Sequence, residues 1–524
     1  MDIIFSSNLL AISGILTSLL LYNLWKFKVK NRSYKAENGL SSLPPEPSRA
    51  LPILGHLHIL GKEKTLARTL GRLADKHGPI FTIWLGVHRT VVISSPDAIK
   101  ECFTTNDKVL GARPRSSHGQ YLSYNYAAFG FASYGPYWRN MRKMVLIQLL
   151  SSHRIKSLKH VQVSEVNLLI KELYLKSKTN NKIVMSECFE HLTLNMITKM
   201  IAGKRYLNSN SEEEEGKRTG KLMKEFMYIS GVLVPSDLIP FLGWMNFRGP
   251  VKTMKRLSTE LDSLMQSWID EHKLKRLRMD HHSVNIQDED FIDVMLSVLE
   301  DDFFGHSKES IIKGTVMTLI IAGADTTSIT LTWILSNLLN NRRTLELAQE
   351  ELDLNVGRNR VVQDSDIHNL NYLKAIVKET LRLYPPGPLA VPREATEDCS
   401  IASYHIPKGT RVFANLWKLH RDPNVWSNPD EFMPERFLTH NQADVFGQNF
   451  EYLPFGSGRR SCPGMNFAIQ AIELSLARLL QAFSIRTPLN VRVDMSEGLG
   501  ITLPKTSPLE IQIFPRLSSQ LYEC

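Results

Sequence analysis

Phe455-Gly456-Ser457-Gly458-Arg459-Arg460-Ser461-Cys462-Pro463-Gly464 is the stretch on which the reading of this 524-residue chain turns. Gly456 and Gly458 permit positive φ and close backbone approach. Pro463 suits the first position of a helix. Ile469, Ile472, Leu476 and Leu479 then recur at helical spacing. The pattern predicts a tight loop feeding a helix, with Cys462 at the helix start. Free N–H groups there lower a thiol's pKa and favour thiolate, the metal-ligating form. A lone cysteine is more often an inert buried side chain, but the glycines, Arg460 and the helix start argue otherwise here.

The other cysteines are Cys102, Cys188, Cys399 and Cys524. They are widely spaced with no CxxC pair, which speaks against a disulfide framework or a structural zinc site. Reduced thiols place the body on the cytosolic side of any membrane. Lys and Arg number 63 against 53 Asp and Glu, a net charge of +10. Such an excess is a solvated basic surface or an attraction to anionic lipid or an acidic partner. No zinc-finger spacing or basic helix with interleaved aromatics points to nucleic acid.

Outward from the loop lie four further constellations. Glu379 and Arg382 stand three apart and share a helical face, and Pro434-Glu435-Arg436-Phe437 follows downstream. Ala322-Gly323-Ala324-Asp325-Thr326-Thr327 lies within a helix expected over Ser307–Asn341. Its middle, Val316–Ala324, is apolar nearly all round and reads as fully buried. Gly323 costs about 1 kcal/mol there against alanine, so something is expected to approach it closely. Asp325 ends the apolar run, and Thr326 either serves chemistry or bonds back to a carbonyl one turn earlier. Trp138 and Arg142 lie four apart on one face. Arg393 and Arg460 complete a set of arginines suited to carboxylates.

The cysteine loop resembles the haem-binding signature of cytochromes P450, F-x-x-G-x-R-x-C-x-G, matched by Phe455, Gly458, Arg460, Cys462 and Gly464. The other motifs follow in the family's order. The resemblance implies that Cys462 ligates the iron of haem b. Trp138, Arg142, Arg393 and Arg460 meet the haem propionates. Glu379, Arg382 and Arg436 form a buried structural network. Asp325 and Thr326 handle dioxygen and protons. The implied reaction inserts one atom of O2 into a small, largely apolar substrate, with NADPH electrons delivered by a cytochrome P450 reductase. The finer texture, such as Tyr134-Gly135-Pro136-Tyr137-Trp138-Arg139, is similar to plant microsomal members that oxidise alkaloids, terpenoids, furanocoumarins and flavones. By the same resemblance, the pocket walls come from about 114–128, 316–326, 387–392 and 499–503. A reductase-independent isomerase or dehydratase, or a non-catalytic membrane haem protein, remain as alternatives; the intact Asp325-Thr326 pair argues against both.

The fold class expected is mainly α with small β-sheets, a cytochrome P450 fold behind an N-terminal transmembrane helix. Ile3 to Trp25 is uncharged and long enough to span about 30 Å of hydrocarbon. Lys26, Lys28, Lys30 and Arg32 follow, which keeps the rest of the chain cytosolic. A cleaved signal peptide fits less well, for want of a basic n-region and a cleavage site. The expected organisation is an anchor (1–25), a basic linker and proline-rich hinge (26–52) and one haem-thiolate domain (53–524), on the endoplasmic reticulum membrane. The hinge has Ser48-Arg49-Ala50 where plant relatives usually carry a glycine. Strands are expected at 80–85, 90–94, 411–414 and 509–513. Asn208–Arg218, with its glutamate run, and Met279–Glu289 read as solvated loops.

Overall fold

Capped runs with apolar residues at helical spacing give the body its α character, and a computed structural model shows where they pack. It describes residues 14, 17, 42–47, 50–60, 65–179, 182–206, 214–247, 249–278, 289–438 and 443–523. The apolar run 3–25 lies outside these apart from Gly14 and Thr17, as do residues 26–41, Ser48 and Arg49 of the linker and hinge.

The helices that build the site are α1 (Pro136–Met144), α2 (Met185–Ala202), α3 (Glu214–Ser230), α4 (Pro250–Arg278), α5 (Lys308–Asn340), α6 (Asn371–Leu383) and α7 (Met465–Ala482). Pro136 opens α1, where a missing N–H costs nothing. Gly203 ends α2 in the left-handed region and donates to the Lys199 carbonyl. Ser307 caps α5 by accepting from the Ser310 N–H at 3.3 Å.

Four small sheets accompany the helices among the described residues, two of them with more than two strands. In one, the order is Ile80–Leu85, His88–Ile93, Arg411–Ala414, Arg393–Glu394. The first two strands form an antiparallel hairpin with Ile80 opposite Ile93, and the second pairs parallel with Arg411–Ala414. In the other, Glu510–Pro515 lies between Phe483–Arg486 and Ile183–Val184. Mainly helical with small sheets is the class the sequence implies.

The central element is α5. Its C-terminal half joins α6, α7 and the helix Lys159–Ser177 in the largest core cluster, around Leu335, Leu338, Ile376 and Leu479. Its N-terminal half packs with α2, α3 and α4 around Ile312, Val316, Trp268 and Phe226. The close approach expected at Gly323 is real. A Cβ there would lie 2.8 Å from Ile197 Cδ1 on α2. Among the described residues α5 is also the one helix long and apolar enough to cross a membrane; it is the core of the molecule.

Three expectations are corrected. Residues 214–218 are not loop but the first turn of α3, because glutamate is a good helix former and is favoured at a helix N-terminus. Pro463 is not the first residue of α7, which starts at Met465 with Gly464 as its cap. Val316–Ala324 is not fully buried: Ala322 is exposed, and Thr318, Leu319, Ile321, Gly323 and Ala324 are partly so. One side of that apolar stretch packs on α2, where Gly323 abuts Ile197, while Ala322 is exposed on another.

Candidate active site at the Cys462 loop

The cysteine loop is wound by its glycines. Gly456 and Gly458 have φ of +68° and +71°. A Cβ on Gly458 would fall 2.5 Å from the Phe103 carbonyl and 2.8 Å from Asp107 Oδ2, so both conformation and space demand glycine there. The turn closes with the Cys462 N–H donating to the Phe455 carbonyl at 2.9 Å. Gly464, two residues on, caps α7.

The Cys462 side chain is solvent-accessible. The pKa expectation is overturned. Burial pushes the thiol up, and the Gly464 N–H and the Arg142 charge only partly oppose it. In the chain alone, desolvation outweighs the helix start.

Four guanidinium groups gather around the loop. Arg142 donates to the Ser461 carbonyl at 2.7 Å and to its Oγ at 3.2 Å. Arg460 donates to the Gly111 and Ala132 carbonyls at 2.7 and 2.6 Å. Arg393 reaches Asp107 Oδ1 at 2.7 Å. Trp138 is buried beneath two of them, 4.4 Å from the Arg460 guanidinium and 5.5 Å from that of Arg142. The fourth, Arg113, went unnoticed in the sequence; it donates to the Val391 and Pro392 carbonyls, both at 2.8 Å. Burial, then the charges of Arg393 and Arg142, push Arg460 down to about 9.

Asp107 is the second residue that sequence reasoning missed. Besides Arg393 it accepts from the Arg459 N–H at 2.8 Å and the Arg459 side chain at 3.2 Å. It therefore ties the cysteine loop to Arg393. Neither Asp107 nor Arg113 belongs to a spaced pattern, so no local signal marked them.

On α5, the Thr326 hydroxyl donates to the Ala322 carbonyl at 2.6 Å, the back-bonded geometry. Burial pushes the Asp325 carboxyl up to about 6, a Thr502 hydrogen bond opposes the shift, and the Glu190 charge adds to it. Asp325 Oδ2 is buried with no hydrogen-bond partner among the described residues.

Glu379, Arg382 and Arg436 come together under the loop. Arg382 forks onto Glu379 at 2.7 and 2.9 Å, and Arg436 Nε reaches it at 3.1 Å. Arg382 also donates to the His420 carbonyl at 2.7 Å, and His420 Nε2 accepts the Leu453 N–H at 2.9 Å. His420 is held neutral, at about 3, by burial first and then by the charges of Arg382 and Arg421. Leu453 stands two residues before Phe455, whose carbonyl receives the Cys462 N–H. The salt-bridged brace is thus one continuous path to the cysteine.

The cytochrome P450 family profile matches residues 44–511. The chain belongs to the cytochrome P450 family. Among the relatives it is similar to are cytochrome P450 CYP82J17 of Trigonella foenum-graecum, 50% identical over 100% of both chains, and xanthotoxin 5-hydroxylase CYP82C4 of Arabidopsis thaliana, 47% identical over 91% of this chain and 94% of the relative. Among solved structures, a zebra fish cytochrome P450 with progesterone superposes with a TM-score of 0.73 at 25% identity, covering 86% of this chain and 99% of that one.

As a P450 monooxygenase, the chain belongs to a family whose cofactor is haem with a cysteine thiolate ligand, and the site fits that group. Arg113, Arg142, Arg393 and Arg460 crowd together, and Asp107 is the one carboxylate paired with any of them among the described residues. Cations in that excess, Arg393 buried and the other three half-buried, suit a dianionic ligand such as a pair of haem propionates. Cys462 offers an accessible sulfur within reach of the Arg142 charge. Residues bordering the expected wall segments touch one another: Arg113 reaches 391–392, Gly314 abuts Ala128, Gly130 abuts Thr318, and the Leu503 N–H donates to the Pro386 carbonyl at 3.1 Å.

Proposed function

We propose that this P450 inserts one atom of O2 into a largely apolar plant specialised metabolite, such as an alkaloid, terpenoid or phenolic, using NADPH electrons passed through a cytochrome P450 reductase. The observation that carries the reading is the Asp325-Thr326 pair on α5, where the buried Asp325 Oδ2 has no hydrogen-bond partner among the described residues and the Thr326 hydroxyl is back-bonded to the Ala322 carbonyl. Cys462 ligates the iron, and Trp138, Arg142, Arg393, Arg460 and Arg113 hold the propionates. Bound haem supplies the oxygen activation. The residues around it bind, orient and supply protons. Asp325, pushed up to about 6 by burial, can give and take a proton. Thr326 offers its hydroxyl oxygen as the next acceptor. The apolar walls orient the substrate and keep water out. The relative named as a xanthotoxin 5-hydroxylase supports a small-molecule substrate.

The protein sits by this reading on the endoplasmic reticulum membrane, held by a single-pass anchor at 1–25, with 26–52 as linker and hinge and 53–524 as one cytosolic domain. Residues 42–47 support it: the Pro45 carbonyl accepts from the Thr82 N–H at 2.8 Å. The chain therefore enters beside the surface where Leu51, Leu54, Val87 and Phe241 are exposed. An apolar rim there suits a lipid surface.

The reductase docks, in this account, on the groove lined by Tyr134, Trp138, Arg139, Arg142, Lys143, Leu146, Ile147 and Arg459, about 370 Å³ in volume. Its basic rim suits an acidic partner. Lys143→Glu is expected to lower reductase-coupled turnover roughly 3- to 10-fold at low salt and to weaken its salt dependence. Unchanged turnover and salt dependence would place the dock elsewhere.

The function is tested by incubating the membrane-bound protein with a plant reductase and an extract of alkaloids, terpenoids and phenolics. A product heavier by one oxygen, formed only with both NADPH and O2, is expected. Turnover without them would make the protein an isomerase or dehydratase.

A further inference from the structure

A short segment over 106–112 joins the cysteine loop to the strand Arg393–Glu394. The Asn106 side chain donates to the Ser400 carbonyl at 2.7 Å. The Thr396 N–H donates to the Val109 carbonyl and the Glu394 N–H to the Ala112 carbonyl, both at 3.0 Å. On the loop side, the Gly111 carbonyl accepts two bonds from Arg460, at 3.1 and 2.7 Å. Asp107 stands within this segment with its side chain buried. Its Oδ1 accepts from Arg393 Nη1 at 2.7 Å. Its Oδ2 accepts from the Arg459 N–H at 2.8 Å and from Arg459 Nη1 at 3.2 Å. The fit is close, since a Cβ on Gly458 would lie 2.8 Å from Oδ2. One carboxylate thus spans two elements, with an oxygen on each.

Arg393 is confined on its other sides. Its guanidinium lies 4.1 Å from the centre of the Phe103 ring, and Nη2 reaches the Ser457 carbonyl at 3.4 Å. Burial pushes the guanidinium down, and the Asp107 bond is the main opposition. The Asp107 charge also bears favourably on Arg142 and Arg460. Those two and Arg113 are held by carbonyl and hydroxyl oxygens, and no other carboxylate pairs with them among the described residues. A buried anion set among cations is screened little by salt and acts on all of them.

We propose that Asp107 is a positioning residue for the haem: it clamps the cysteine loop to Arg393, and its charge, the one carboxylate charge in the arginine set, holds the haem reduction potential down. The clamp fixes Arg393 relative to the loop that carries Cys462. The charge sets the balance of the site. Guanidinium groups favour the more negative, reduced state of a bound haem, and Asp107 offsets one of the four. This rests on the reading of Cys462 as iron ligand and of the arginines as propionate partners.

The test is a redox titration of the haem-loaded, full-length protein without substrate, followed by absorption, with haem content and thermal melting measured alongside. Asp107→Asn matches the parent side chain in shape, keeps one acceptor oxygen and removes the charge. At an applied potential equal to the parent midpoint, it is expected to raise the ferrous-to-ferric ratio roughly 3- to 10-fold. The rise persists between about 0.05 and 0.5 M salt, because the charge is buried. Asp107→Glu keeps the charge but overfills the space beside Gly458. Its ratio stays within about twofold of the parent, while haem content and melting temperature fall. A purely structural role would lower stability in both variants and leave both ratios alone. A haem-loaded Asp107→Asn protein with the parent's ratio overturns the role of the charge, and an Asp107→Glu protein that melts like the parent overturns the clamp. If Asp107→Asn holds no haem, Arg459→Gln decides. It removes an exposed partner of the same carboxylate and leaves the Arg459 N–H, so the ratio is expected to fall about twofold at low salt; an unchanged ratio overturns the proposal. A parent protein without the red-shifted carbon monoxide band would instead sink the haem-thiolate reading, and that failure shows before any variant is made.

Discussion

Glu379→Ala yields no haem-loaded protein. Glu379 and Arg382 are both fully buried, and Arg382 donates onward to the Pro429 and Glu431 carbonyls as well as to His420. Removing the carboxylate leaves two guanidinium groups, of Arg382 and Arg436, without their counter-charge. The Met433 N–H also loses its acceptor at 2.9 Å. Breaking a buried ion pair from one side costs about 3–5 kcal/mol, against a total stability of about 5–15 kcal/mol for a folded domain. The loss extends to function, because His420 and Leu453 carry the brace to the cysteine loop. Expression yield, thermal melting and haem content check this together. A Glu379→Ala protein with normal haem content and an unchanged melting temperature would show that the network braces nothing.

Cys462→Ser has an equally large effect through a different route. Serine fills nearly the same volume, and the loop keeps its glycine turns and the N–H bond to Phe455. The fold is therefore expected to persist, with a melting temperature close to that of the parent. The arginine set and the apolar walls still attract haem, so part of the cofactor is retained. What is lost is the sulfur that donates electron density to the iron. Product formation falls by at least about 10³-fold, toward background, since the ligand acts in every turnover. Full activity in the serine variant, measured with reductase and substrate, would remove Cys462 from the mechanism.

These two expectations come from different layers of legibility. The cysteine loop was readable because its glycines, arginine, cysteine and helix start are contiguous and each has a local physical reason. Glu379 and Arg382 were readable as a pair because helix geometry places i and i+3 together. The residues that complete the site were not. Asp107 and Arg113 are single side chains brought in from distant loops, and only tertiary packing gives them partners. The Cys462 thiol shows a related effect: the helix start that favours thiolate is local, while the burial that pushes the thiol up depends on everything folded around it. The apolar middle of α5 predicted burial correctly toward α2, but periodicity does not tell a face packed on protein from one lining a pocket. Glu214 and Glu215 open α3 although their charge suggests a solvated loop, because glutamate is also a good helix former.

The claim on which the account rests is that the Cys462 thiolate ligates the haem iron. The most direct measurement is the absorption spectrum of the reduced protein with carbon monoxide. The parent is expected to show the red-shifted band of thiolate-ligated haem, and Cys462→Ser is expected to lose it while still retaining haem. A Cys462→Ser protein that kept the red-shifted band would contradict the account.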